Sequence, residues 1–202
     1  MDTVPAEEIA SRLARFQQTL REQGLDSALV LHNVGLFYYS GTLQTAFLRV
    51  PAEGDPLLLV LKSAERARRE SPLERVLPVA GRRALPGALE EDGTPLRGRV
   101  GLELDVLPAA FFLWLQKTFP DCRWVDVSGL IRTQRMIKSE YEVAQIRRAL
   151  EVEDRAFMDL TRFIQEGMTE LEVDGRLAML ARTGGHQGIV RMRGWNQEMT
   201  YA

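Results

Sequence analysis

His32 and His186 are the only imidazoles in this chain of 202 residues, and Cys122 is the only thiol. His32 follows an apolar run and precedes Asn33, with no acid or second histidine at ligand spacing. It can be a base or a ligand, but a hydrogen-bonded structural histidine is the simpler reading. His186 lies in Gly184-Gly185-His186-Gln187-Gly188, after a helical pattern and before a strand-like one. A turn of this kind can present an imidazole to a cleft, because loops carry a large share of functional residues. A phosphate loop leads into a helix N-terminus. This stretch follows a helix instead, so it is not read as a nucleotide site. No HExxH, GxSxG, P-loop or GxGxxG motif is present. Cys122 has no partner for a disulfide and no Cys or His cluster for a structural zinc. Between Asp121 and Arg123 it reads as a partly buried, inert thiol. The acids Glu90-Glu91-Asp92 are most simply a solvated turn. No catalytic residue and no metal-ligand set is therefore expected within this chain.

Composition narrows the classes further. Apolar residues make up 45% and charged residues 27%, an ordinary globular balance. The net charge of -2 gives no global drive toward nucleic acid or an anionic membrane. Among the 26 basic residues the only lysines are Lys62, Lys117 and Lys138. The arginines are scattered among acids, which points to codon bias rather than phosphate binding. The first residues, Met-Asp-Thr-Val-Pro-Ala-Glu-Glu, lack the basic and apolar regions of a signal peptide. The longest apolar runs, Leu57–Leu61 and Ala109–Leu115, are too short to span a bilayer. The expectation is a cytoplasmic protein without nucleic-acid or membrane partners.

The elements that must position any chemistry come next. Ile9, Leu13, Phe16 and Leu20 recur at helical spacing and predict an amphipathic helix over 6–22, ended by Gly24. Ser27–Leu31 has strand length. Leu36–Tyr39 is a second apolar run, rich in aromatics and closed by Ser40-Gly41, and Ala46–Val50 is a third, closed by Pro51. The turn Glu53-Gly54-Asp55-Pro56 leads into Leu57–Leu61, which suggests a hairpin and a strand covered on both faces. A short charged helix over 63–70, a strand within Leu73–Val79, a helix near 84–91, a strand at Arg99–Glu103, an apolar helix at Leu107–Thr118 and a strand at Arg123–Val127 follow. Strands alternating with helices favour an α/β class.

The pattern changes near residue 130. Ser139 with Glu142 is a capping box before a long helix, whose stripe is Val143, Ile146, Leu150, Phe157, Leu160 and Ile164. Glu153 interrupts that stripe and is read as an edge residue reaching solvent. Gly167 ends the helix. Thr169 with Glu172 is a second box, opening a helix to about Arg182, and Gly188–Arg193 has strand character. Two long helices and about one strand form too small a core to stand alone. The expectation is that a sheet-forming continuation, or another chain, supplies their packing surface.

The order of the motifs resembles a known family. Gly24-Leu25-Asp26-Ser27-Ala28-Leu29, Asn33 through Tyr39-Ser40-Gly41, Gly101-Leu102-Glu103, Leu107-Pro108, Phe119-Pro120 and Asp126 through Ile131 resemble stretches of the creatinase-type N-terminal domain. Arg135-Met136-Ile137-Lys138-Ser139 and Glu142, with Gly167-Met168-Thr169-Glu170, resemble the opening of the pita-bread peptidase domain of creatinases, prolidases and Xaa-Pro aminopeptidases. Ile189-Val190, Gly194 and Asn196 resemble its first strand, with one residue more than the commoner spacing. The resemblance implies an N-terminal domain of mixed sheet and flanking helices over 1–132, and the start of an incomplete α+β pita-bread domain over 133–202.

The resemblance also implies a parent that is a dinuclear metallopeptidase acting next to proline. Its two divalent ions (Mn, Co or Zn) would be held by two aspartates, a histidine and two glutamates downstream of residue 202. This segment would then shape the peptide-substrate cleft and contribute to a homodimer. His186, Trp195 and Asn196 are its candidate substrate-binding residues. Trp195 is equally readable as an ordinary core aromatic. The competing expectation is a complete, non-catalytic interaction or dimerisation module of the same fold.

Overall fold

The computed structural model describes residues 3–192 and 198–200. The chain divides into two compact units, Met1–Met136 and Ile137–Ala202.

The first unit is built around a sheet. Helix α1 (Ala6–Glu22) buries Ile9, Leu13, Phe16 and Leu20, the stripe that its spacing predicts. It ends where Gly24, at φ +62°, turns the chain back so that Leu25 N–H donates to the Leu20 carbonyl. Strand β1 (Ser27–Val30) is buried at every residue. Strands β2 (Ala46–Pro51) and β3 (Leu57–Val60) form the expected antiparallel hairpin. Strands β4 (Val76–Pro78), β5 (Gly98–Leu102) and β6 (Cys122–Asp126) complete a sheet in the order β4-β3-β2-β1-β5-β6. Strand β1 runs antiparallel to β2 and parallel to β5, and β5 runs parallel to β6, so the sheet is mixed.

Burial on both faces explains the unbroken apolar strands. On one face Leu29, Leu57, Leu59, Val100 and Leu102 pack against Leu85 and Leu89 of α4 (Leu85–Glu91) and Leu115 of α5 (Ala109–Thr118). Helix α1 packs against the helices α2 (Asn33–Ser40) and α6 (Ser128–Met136) and against β2. There the Phe16 and Tyr39 rings stack at 4.8 Å. The short helix α3 (Ala64–Glu70) lies beside β4.

Two elements differ from the sequence reading. The aromatic run Leu36–Tyr39, placed among the strand-length runs, is helical. His32 caps that helix, and Gly41 ends it in the left-handed region at φ +75°. The turn chemistry at both ends outweighs the strand preference of the aromatics. Helix α6, in a segment to which the sequence reading assigned no helix, occupies the whole stretch before the second unit and buries Ile131.

The second unit consists of α7 (Glu140–Phe163), α8 (Glu170–Thr183) and an antiparallel pair, β7 (Ile189–Arg191) with β8 (Glu198–Thr200). Both predicted capping boxes are formed. Glu142 N–H donates to Ser139 Oγ at 3.1 Å while Ser139 N–H donates to Glu142 Oε2 at 3.0 Å. Thr169 and Glu172 repeat the exchange at 3.3 and 2.9 Å. Gly184 permits a close approach beside α7, because a Cβ there would stand 2.7 Å from Val152 Cγ1.

Candidate functional site

The C-terminal ends of parallel strands are where open α/β sheets usually bind ligands. In the first unit that edge is built from the ends of β1, β5 and β6. Glu103, one residue past β5, is 1% exposed. Its Oε2 accepts the backbone N–H groups of Leu31 at 2.8 Å and His32 at 2.9 Å. The carboxylate thus ties the end of β5 to the corner where β1 enters α2. Gly35 makes room for it, since a Cβ there would fall 2.7 Å from Glu103 Oε1.

His32 uses its ring within its own turn. Nδ1 accepts from Val34 N–H at 3.4 Å, the long hydrogen bond of a helix cap. This matches the structural reading of His32.

Asp126 plays a parallel part at the end of β6. Its Oδ1 accepts from Ser128 N–H at 3.0 Å, from the Ser128 hydroxyl, and from Leu104 N–H at 3.3 Å. Burial alone would raise its pKa. The Ser128 and Leu104 hydrogen bonds and the Arg132 charge outweigh burial and hold the carboxyl below its usual range. Arg132 also reaches Asp105 at 3.2 Å. Beneath this edge the Tyr39 hydroxyl donates to Gln134 Oε1 at 3.1 Å, and Gln134 donates to the Arg12 carbonyl at 2.8 Å. Burial first, then the neighbouring Tyr38 and Glu103, push the Tyr39 phenol far above its ordinary value, so it stays protonated.

Chemically, these acids hold loops in place. Glu103 and Asp126 spend their oxygens on backbone and hydroxyl donors. Neither was singled out as a functional acid from the sequence. The available signals were an acid closing an apolar strand at Leu102-Glu103 and the Asp-x-Ser turn at 126–128. The Cys122 thiol, with its pKa pushed up to about 11 by burial and then by Asp121, is a poor nucleophile at neutral pH.

In the second unit His186 is half-buried, and its Nδ1 accepts from Gly188 N–H at 2.9 Å. That bond leaves the neutral ring with its proton on Nε2. Trp195 and Asn196, the other two candidate substrate contacts, lie outside the described residues. Among the described residues no group of three or more His, Cys, Asp or Glu is placed to hold a metal ion. They therefore do not fit a carboxylate-rich dinuclear centre. Among the same residues, no helix is long and apolar enough to cross a membrane.

The family profile described as Creatinase/Prolidase N-terminal domain matches residues 12–137. The chain belongs to this family. The match covers the six-stranded sheet and its polar edge, and it stops where the second unit begins. Relatives extend further along the chain. An Xaa-Pro dipeptidase from Pyrococcus horikoshii is 26% identical over 179 residues, covering 86% of this chain and 48% of that protein. A creatinase from a Bacillus species is 28% identical over 199 residues, covering 91% of this chain and 48% of that protein. The solved structure of the prolidase from Pyrococcus horikoshii OT3 superposes with a TM-score of 0.75 at 26% identity, covering 91% of this chain and 52% of its own. The chain spans about half the length of the curated relatives it matches. These members of the family carry names for different reactions, so membership fixes the fold of this segment more firmly than the chemistry of a whole enzyme.

Proposed function

We propose that this chain is the N-terminal domain and the opening of the pita-bread domain of a dinuclear metal-dependent Xaa-Pro dipeptidase or aminopeptidase. The observation that carries the proposal is the similarity to an Xaa-Pro dipeptidase across 86% of the chain, which runs past the N-terminal domain into the two capped helices. In this reading the boundary between the two domains falls at 132–133. The parent acts in the cytoplasm on peptide substrates as a homodimer. Its two divalent ions, Mn, Co or Zn, are held by residues downstream of this segment. The segment itself shapes the cleft and the dimer. His186 is its described candidate for substrate contact, with Trp195 and Asn196 beside it in sequence.

The exposed stripe of α7 supports the pita-bread reading. A helix carrying Leu150 and Phe157 more than half exposed needs a further apolar surface, and a following sheet would supply it. The test compares the full-length gene product with the 202-residue chain on an Xaa-Pro dipeptide, with manganese and with chelator. The expected result is chelator-sensitive hydrolysis by the full-length protein and none by the chain alone. Hydrolysis by the chain alone, or none by a folded, metal-loaded full-length protein, overturns the proposal. A second reading rests on the 28% identity to creatinase: hydrolysis of a small non-peptide substrate such as creatine. Assaying creatine beside the dipeptide separates the two.

A further inference from the structure

No further inference is drawn: the strongest candidate, the exposed apolar stripe of Ile146, Leu150, Phe157 and Ile164 along the long helix of the second unit, is already absorbed by the pita-bread reading, and nothing in the structure shows what else covers it.

Discussion

Ile9, Leu13, Phe16 and Leu20 on α1 and Ile146, Leu150 and Phe157 on α7 each recur at helical spacings of three, four or seven, yet the first stripe is buried and the second is not. Phe16 and Leu20 have no exposed surface, whereas Leu150 is 55% and Phe157 54% exposed. The helices are equally amphipathic by pattern. What differs is the surface available within each unit. The first unit has six strands to receive helices on both faces. In the second, Ala156 and Ala181 are the buried apolar side chains among the described residues. A stripe states a demand for burial, and the surrounding sheet decides whether it is met. Glu153 fits this picture, half-buried on a helix whose neighbouring apolar side chains are themselves exposed.

The largest expected effects test that contrast directly. Leu58, fully buried in β3, should lose about 2–5 kcal/mol of stability on Leu58→Ala, the range for emptied core sites. Leu150→Ala in the same chain should change stability by less than about 0.5 kcal/mol, as for surface substitutions. Urea unfolding of both variants measures the difference. A comparable loss at Leu150 would mean that its stripe is covered in solution. The contrast sharpens in the full-length protein, where Leu150→Ala should become costly if a following sheet packs on α7.

A smaller contrast lies at the polar edge of the sheet. Glu103→Leu removes the acceptor of two backbone N–H groups, and stranding a buried donor costs about 1–3 kcal/mol. Glu103→Gln keeps one side-chain oxygen and should cost clearly less. Equal losses in the two variants would show that the fit of the side chain beside Gly35, and not its acceptor, sets the stability. In the second unit, Gly184→Ala should cost about 1 kcal/mol, the low end for overpacking, because its new methyl meets Val152. If thermal unfolding detects no change, the approach of α8 to α7 is looser than the 2.7 Å spacing implies.

Much of the fold was legible in the sequence where its signals are local. The α1 stripe and the Gly54 hairpin turn in the first unit, and the Ser139 and Thr169 boxes in the second, each act within a few residues, and each is found. Helix α2 was missed because four consecutive apolar residues carry no periodicity. The evidence for it lay at its ends, in the His32 cap and the left-handed Gly41. Helix α6 was missed because Gly129 in its first turn is a weak helix former and Asp126 with Ser128 signals a turn as readily as a helix start. The site was less legible than the fold. Glu103 reaches Leu31 and His32 across more than 70 residues of sequence, and only the parallel pairing of β1 with β5 brings them together.

The smallest expected effect separates charge from shape at the end of β6. The Asp126 carboxyl is favoured in its ionised form in the folded chain, where donors from Ser128 and Leu104 and the Arg132 charge exceed the cost of burial. Its folded pKa is therefore below its unfolded value. A carboxyl shifted in that direction adds stability that is complete above the unfolded pKa, near 4 for aspartate, and is lost as pH falls through the folded pKa. Asp126 is an exposed residue, so solvent screening limits the contribution to about 0.2–1 kcal/mol. Asp126→Asn keeps a side-chain oxygen to accept the same hydrogen bonds but carries no charge at any pH. Comparing wild type with the variant isolates this group from the other carboxyls, which titrate in both. The wild type should unfold at a slightly higher temperature than Asp126→Asn at pH 7, and the gap should close as pH is lowered below 4. A gap that stays constant down to pH 2 would assign the role of Asp126 to hydrogen-bond geometry alone, with no share for its charge.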